Sequence, residues 1–341
     1  MKKSIKQPSR IDVSQLYFNA INNFTQTSLA SNSDKYSHDS INRYFCKEKF
    51  TGKDLLQLTK EKITLSKDSS LSIDDTVCEK WNTKQINLVK KQYSGNYGGI
   101  VPGIGIITTS YNNSAIKESF CIDYDVFDFK TDGLKKTDHV YNQIMNCINN
   151  KDLLFNNILF DSYYSSAKIL NAINNNGKFY YTKLRRNRII YIKRENKLEK
   201  YQLKDLILTE EEIKYGVVIR LNKLHANHFV KLFCLGEKNL ATEHIITNDV
   251  TQKDPLVVQK AYKERWNSEQ LYKDSKQLNG LGQCEARKSI IQRNHIFFSL
   301  FVTNCMRKIS YEKGITANTV KNSIYADSIK NEFKNPRFII S

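Results

Sequence analysis

Four residues repeat the spacing Tyr-x2-Arg-x3-Glu-x6-Lys: Tyr262, Arg265, Glu269 and Lys276. On a helix turning about 100° per residue they fall within roughly 60° of one another. One face then carries a carboxylate between two cations, with a phenol one turn up. Val257, Val258, Ala261, Trp266 and Leu271 lie elsewhere round the same helix and can hold it in a core. A solvated charged face gives a similar pattern, so spacing alone does not decide. Two upstream aspartates weigh against it. Leu71-Ser-Ile-Asp74-Asp75-Thr76-Val77 reads as a strand ending in paired acids. An unpaired buried carboxylate is costly, and a divalent cation would offset that cost. Leu153 to Phe160 is another apolar run, stopping at Asp161 and followed by a helix over Ala167 to Asn174. That order sets a carboxylate at the carboxyl edge of a sheet, where open α/β sheets carry their sites.

Asp75, Asp161 and Glu269, on separate elements, can hold two divalent ions roughly 3.5–4 Å apart. One ion activates a water or a 3′-hydroxyl against a phosphodiester; the other stabilises the leaving oxygen. Carboxylates suit Mg²⁺, with Mn²⁺ as substitute, and not Zn²⁺. Arg265 and Lys276 would clamp neighbouring phosphates, and Tyr262 would stack on a base or sugar or bond a phosphate. Asp123, Asp125 and Asp128, at the end of a further strand from Ser119 to Val126, are rivals that solvated loop positions explain more simply.

The elements that must position these groups are legible in outline. Residues 1–68 read as short helices, with Ser37 capping one and Thr51 with Asp54 forming a capping box before Leu55, Leu56 and Leu58. This is a small helical N-terminal domain, either a DNA reader with Ser37 to Lys47 as recognition helix or a plain helical cap. Residues 69–183 alternate strands and helices, with a glycine-rich turn over Gly95 to Gly105 leading into a strand at Ile104 to Thr109. That turn lacks the lysine of a P-loop. Residues 184–249 form a β-rich insertion. Around its entry stand Lys183, Arg185, Arg186 and Arg188, with Tyr180, Tyr181 and Tyr191 interleaved, a mixture suited to phosphate contact and base stacking. Residues 250–310 resume the catalytic domain with a helix from Asp254 to Leu278 and another from Gln292 to Ile309, and 311–341 form a weakly patterned tail.

The chain has 341 residues, 40% of them apolar, and a net charge of +18, which favours a polyanionic partner; an AT-rich gene would inflate lysine in the same direction. Seven cysteines without a CxxC pair read as reduced thiols, and His225 and His228 form an isolated HxxH. No signal peptide follows Met1-Lys2-Lys3, and the run Ile296 to Val302 is too short to span a bilayer, so the expectation is a cytoplasmic protein without a membrane partner.

Asp75-Thr76 after an apolar strand, Asp161-Ser162-Tyr163-Tyr164-Ser165-Ser166 and the complete Tyr262/Arg265/Glu269/Lys276 signature resemble the DDE transposases of bacterial insertion sequences. The nearest likeness is to the cut-and-paste group carrying the tyrosine-arginine-glutamate-lysine signature, insertion-sequence family four. It covers roughly residues 15 to 310, and Ser37-His38-Asp39-Ser40 and Lys53-Asp54-Leu55 extend it to the N-terminal region. The resemblance implies an α/β, RNase H-like catalytic domain interrupted by a β-rich insertion. It also implies cleavage of double-stranded DNA at terminal inverted repeats, joining of the 3′ ends to target DNA, and a homodimer on paired ends. The family's first carboxylate stands directly before threonine, which selects Asp75 over Asp74. Excision in this group can pass through a DNA hairpin with a flipped base held by aromatics. The chain's tryptophans, Trp81 and Trp266, lie outside the insertion, which leaves Tyr180, Tyr181 or Tyr191 for that task. The competing expectations are a non-joining nuclease of the same fold and a decayed or repurposed DNA-binding protein.

Overall fold

A computed structural model describes residues 7–81, 85–195, 197–235 and 243–335. Four helices come first: α1 (Arg10–Asn19), α2 (Gln26–Ser31), α3 (His38–Lys47) and α4 (Gly52–Thr59). Their starts follow the capping chemistry in the sequence. Ser37 accepts from Ser40 N, and Asp54 Oδ2 accepts from Thr51 N at 2.8 Å.

The strands and helices that follow are β1 (Ser70–Glu79), β2 (Lys90–Ser94), β3 (Gly99–Asn113), β4 (Glu118–Val126), α5 (Phe129–Asp132), α6 (Lys136–Asn150), β5 (Asn157–Phe160), α7 (Ala167–Asn175) and β6 (Phe179–Lys183). The basic, β-rich segment supplies β7 (Ile189–Arg194), β8 (Lys197–Gln202), α8 (Glu210–Tyr215), β9 (Val217–Leu221), β10 (Val230–Leu235) and β11 (Glu243–Thr247). The chain then forms α9 (Pro255–Lys263), α10 (Trp266–Asn279), α11 (Ser289–Lys313) and α12 (Ala317–Lys334).

All the described strands join one sheet, ordered β2-β3-β1-β5-β6-β11-β10-β9-β7-β8, with β4 also on β3. β1, β5 and β6 run parallel, while β3 and β4 are antiparallel to their neighbours. Chain-order crossovers through α6 and α7 make the parallel part possible. The basic segment is continuous with the rest of the sheet, because β11 pairs antiparallel with β6.

A small apolar cluster joins Leu159, Tyr181, Phe233 and Ile245 to Val258 and Tyr262 of α9, and two large apolar cores pack on the sheet. One gathers Leu71 and Ile73 of β1 with Val140 and Ile144 of α6, Phe160, Ile169 and Leu170. The other gathers Tyr17, Phe24, Phe45 and Leu55 of the first helices with Leu271 of α10, Phe297 and Phe298 of α11 and Val320 of α12. The first helices and the last helix therefore share a core with the helix that carries Glu269. Gly280 shows how closely they meet. It ends α10 with φ of +65°, and a Cβ there would stand 2.3 Å from the Phe24 ring.

Several expected elements differ. The strand expected at Ile104 begins at Gly99, because the glycine-rich stretch includes the β2–β3 hairpin and the first half of a fifteen-residue strand. Gly103 is required there: a Cβ would lie 2.7 Å from the Cys78 carbonyl oxygen. The single helix expected from Asp254 to Leu278 is two, α9 and α10. At the junction, Arg265 N bonds Tyr262 O and Ser268 N bonds Arg265 O, both i to i−3 and tighter than an α-helix. The Glu264 carboxylate is drawn onto Ser70 Oγ at 2.6 Å and onto Ser114 Oγ. The weakly patterned tail contains α12, anchored by Ala317 and Val320.

Candidate active site

Side chains of a strand alternate between its faces, and β1 applies this to its two acids. Leu71 and Ile73 enter the α6–α7 core, whereas Ser72 bonds Ser268 of α10 through hydroxyls 2.8 Å apart. Asp74 therefore faces α10 and Asp75 faces away from it. Tyr272 of α10 fixes this side of the strand by donating to the Asp74 carbonyl at 2.7 Å.

Asp74 Oδ2 accepts from Arg265 Nη1 at 3.0 Å, and Arg265 Nη2 donates to Glu269 Oε1 at 2.5 Å. One guanidinium thus joins the first acid to the glutamate. Asp161 follows β5 directly. The last register pair is Ile73 with Phe160, so the next step sets Asp161 beside Asp74, on the same face of a parallel pair. Asp161 Oδ1 is oriented by Tyr163 N at 2.9 Å and Ser162 Oγ at 3.1 Å.

The electrostatics agree with this grouping. Burial pushes the Asp74 carboxyl up to about 7; Arg265 opposes the rise, while Asp75 and Asp161 add to it. Burial works against the charge on Arg265, yet the Asp74 and Glu269 carboxylates hold its pKa above the ordinary value.

Asp75, expected as the first ligand, has other partners. Its Oδ2 pairs with Lys136 Nζ at 2.6 Å, and its Oδ1 accepts from Tyr164 OH at 2.5 Å. Tyr164 is fully buried, and burial, reinforced by Asp75, raises its phenol pKa. Period-two alternation puts Asp74, and not the expected Asp75, on the side of Glu269, while both acids line the cleft described below. The same alternation, read from Leu71 and Ile73, was the signal available in the sequence.

The signature residues are brought together, but not all into open space. Tyr262 is 5% exposed, with Lys183 Nζ 5.4 Å and the Arg265 guanidinium 5.7 Å from its ring centre. Its hydroxyl is buried next to the Arg265 guanidinium. Lys276 donates to Thr76 Oγ1 at 2.8 Å and to Val77 O at 3.1 Å, which ties α10 to the end of β1. Lys183 pairs with Glu243 at 2.5 Å.

A cleft of about 1330 Å³ opens over Asp74, Asp75 and Asp161, with Lys135, Lys136, Arg185, Arg188 and Lys223 on its walls. Arg185 stands 5.6 Å from the Tyr163 ring centre. Arg186 is exposed and is not among the cleft residues. Lys135, Lys136, Lys223 and Tyr164 were not singled out as site residues, because nothing in their local spacing ties them to β1. Trp266 is 65% exposed one turn before Glu269.

Other candidates have structural partners. Tyr180 and Tyr181 are buried, at 0% and 4% exposure, so neither can meet a base. Both ring nitrogens of His228 are engaged, by Asn171 Oδ1 and Tyr180 OH, and burial lowers its pKa to about 4. Asp123 pairs with Lys151, Asp125 with His139 and Asp128 with Lys90. Each described cysteine is free.

Among the described residues no three His, Cys, Asp or Glu side chains are grouped to hold a metal ion. The Arg265 guanidinium bridges the Asp74 and Glu269 carboxylates. The donor chemistry nevertheless fits a hard divalent cation. The donors are all carboxylate oxygens, and the one described cation that bonds Asp74, Arg265, is shared with Glu269. Among the described residues no helix is long and apolar enough to cross a membrane.

This mixed α/β fold has a counterpart among solved structures. It resembles the piggyBac transposase seen in a cryo-EM synaptic complex with hairpin DNA, with a TM-score of 0.53 over 99% of this chain and 76% of that one. At 10% identity the likeness is one of fold. The chain matches no curated protein sequence. The Transposase DDE domain family matches residues 121–305, more than half of the chain, and the protein belongs to that family. The matched span contains Asp161, Arg265 and Glu269 and begins after Asp74.

Proposed function

We propose that the protein is the transposase of an insertion sequence, of the family-four type with the tyrosine-arginine-glutamate-lysine signature. It cleaves double-stranded DNA at terminal inverted repeats and joins the 3′ ends to target DNA. The observation that carries this reading is the gathering of Asp74 and Glu269 on Arg265, with Asp74 also lining a cationic cleft beside Asp161. The strand order β4-β3-β1-β5-β6, with β1, β5 and β6 parallel, supports an RNase H-like catalytic domain. On this reading residues 69–183 and 250–310 are its two parts, 184–249 its insertion, 1–68 its N-terminal DNA-binding region and 311–341 its tail. The working unit is a homodimer on paired DNA ends, in the cytoplasm.

Asp74, Asp161 and Glu269 are the carboxylates that would hold Mg²⁺ or Mn²⁺, which when bound would supply activation of the attacking oxygen and charge neutralisation at the leaving one. Asp75 keeps Lys136 at the cleft wall. Lys135, Lys136, Arg185 and Arg188 neutralise and orient DNA phosphates, each contributing to a salt-dependent affinity. Arg265 exchanges its carboxylate partners for a phosphate when DNA enters, and its planar fork holds that phosphate in line. Tyr262 packs beneath Arg265 and sets its direction. Lys276 fixes the height of α10 against β1, and so the position of Glu269.

The reading is tested with a labelled duplex carrying the inverted repeats that flank the gene, incubated with Mg²⁺ or Mn²⁺ and either wild type or Glu269→Ala. Metal-dependent nicking at the repeat end followed by joining, both lost in the variant while binding survives, is the expected result. Nicking without joining would point to a nuclease, and binding with neither activity to a repurposed DNA-binding protein.

A further inference from the structure

β1 meets the α9–α10 pair through a row of polar side chains. Ser70, Ser72, Asp74 and Thr76 lie two residues apart on one face of the strand, and each has a partner on the helices. Ser70 Oγ donates to Glu264 Oε2 at 2.6 Å, and the Ser72 and Ser268 hydroxyls stand 2.8 Å apart. Arg265 holds Asp74, and Lys276 holds Thr76. The row is tied together from β3. Asn112 Nδ2 donates to Ser70 Oγ at 3.2 Å and to Ser72 Oγ at 3.0 Å, while its Oδ1 accepts from Ser119 Oγ at 2.8 Å and Asn267 Nδ2 at 3.3 Å. Ser70, Ser72, Asn112 and Ser268 are buried. A buried polar network whose members are satisfied fixes one register of helix against strand.

Glu264 and Arg265 are neighbours in the chain, yet they reach opposite ends of this row. Four residues of strand, about 13 Å, separate Ser70 from Asp74, and Ser268 meets β1 between them. The second Glu264 oxygen accepts from Ser114 Oγ, in the exposed turn between β3 and β4. The helix breaks at this anchor: Arg265 N, Asn267 N and Ser268 N each bond the carbonyl three residues back. Of the two struts, Arg265 is the one that must let go when it exchanges Asp74 and Glu269 for a phosphate. Glu264, Ser70 and Ser114 are not among the cleft residues and keep their bonds.

We propose that Glu264 is a positioning residue for the cleavage step. Through Ser70 and Ser114 it holds the start of α10 on β1 after Arg265 has turned to the phosphate, so that the Glu269 carboxylate stays on the side of Asp74 and Asp161. The inference rests on the transposase reading and adds to it an anchor outside the cleft. A small displacement of a reacting group is enough to cost a large part of a rate, so an anchor that never touches DNA can still govern cleavage.

The test compares wild type with Glu264→Ala, Glu264→Gln and Ser114→Ala. Single-turnover cleavage is measured at saturating repeat-end duplex, affinity by fluorescence anisotropy, folded fraction by thermal melting, and α10 mobility by deuterium uptake with and without DNA. Glu264→Ala should cut about 10- to 100-fold slower per folded molecule, with affinity within about threefold of wild type. Its amides over residues 265–272 should exchange faster than those of wild type in the DNA complex, and much less so in the free protein, where Arg265 still holds Asp74. Glu264→Gln can accept from one serine and donate to the other, and should recover most of the rate. Ser114→Ala should be roughly threefold slower alone and add nothing to Glu264→Ala, since both remove one contact. A Glu264→Ala rate within about twofold of wild type per folded molecule, or a loss confined to affinity, would overturn the anchor while wild-type cleavage left the transposase reading standing. If Glu264→Ala does not fold, Ser114→Ala decides: a rate and exchange equal to wild type would overturn the anchor. Failure of wild type to cut any repeat-end duplex would overturn both readings.

Discussion

Asp74 and Asp75 are adjacent on one strand, yet their surroundings have little in common. Asp75 meets a lysine and a buried phenol, one on each carboxylate oxygen, and is compensated within the protein. Asp74 accepts from one nitrogen of a guanidinium that also serves Glu269 and from the Asp75 backbone N–H, lies beside Asp161, and is pushed up to about 7 by its burial. A buried acid with a full set of partners is a structural ion pair, whose strength depends on keeping both members. A buried acid that shares its one cation with a second carboxylate, beside a third, would be stabilised by further positive charge. On the proposed reading, that difference separates a reactive face of β1 from a supporting one.

The comparison breaks most severely if the far member of the reactive face is dispensable. Glu269→Gln keeps size and loses charge, and should reduce single-turnover cleavage by roughly a thousandfold with DNA affinity within a few-fold of wild type. Cleavage within tenfold of wild type would remove Glu269 from the chemistry. Arg265→Lys retains a cation and loses the fork that spans Asp74 and Glu269. A fall of about 10- to 100-fold in the cleavage rate, with a smaller change in affinity for the repeat end, is expected. An effect on affinity alone would make Arg265 a general phosphate contact.

On the supporting face, Tyr164→Phe removes one of the two partners of Asp75 and should cost about 1–3 kcal/mol in urea unfolding, with cleavage by the folded fraction nearly unchanged. A large loss of rate at unchanged stability would move Asp75 into the reactive group. The smallest effect is on pH dependence. The folded pKa of Asp74 stands above its ordinary 3.8, so its stabilising contribution is full below about pH 4 and is lost as pH rises through about 7. Asp74→Asn does not ionise. Its melting temperature relative to wild type should therefore be higher at pH 8 than at pH 5 by a few degrees, as read by scanning fluorimetry. A difference independent of pH would mean that Asp74 is already ionised at pH 5.

Much of this site was legible in the sequence because it depends on local spacing. The strand carrying Asp74 and Asp75, the strand ending at Asp161 and the helical face of Arg265, Glu269 and Lys276 all follow from period-two and helical patterns, although β1 continues past the expected end at the paired acids to Glu79. What was not legible depends on long-range packing. The break at Glu264 is invisible to helix periodicity, because Ser70 and Ser114 draw its carboxylate from distant strands. Lys136 and Tyr164 become partners of Asp75 only once α6 and the turn after β5 lie against β1. Tyr180 and Tyr181 read as exposed stacking groups beside the basic run. The pairing of β6 between β5 and β11 makes it an interior strand and buries both.

The most direct measurement compares Asp74→Asn and Asp75→Asn in the same metal-dependent cleavage assay, with the folded fraction of each determined by thermal melting. The account predicts that Asp74→Asn stays folded and loses cleavage by roughly a thousandfold, whereas Asp75→Asn melts lower and cleaves within about tenfold of wild type per folded molecule. The reverse pattern, with Asp75→Asn folded and inactive and Asp74→Asn active, would contradict the assignment of the reactive face of β1.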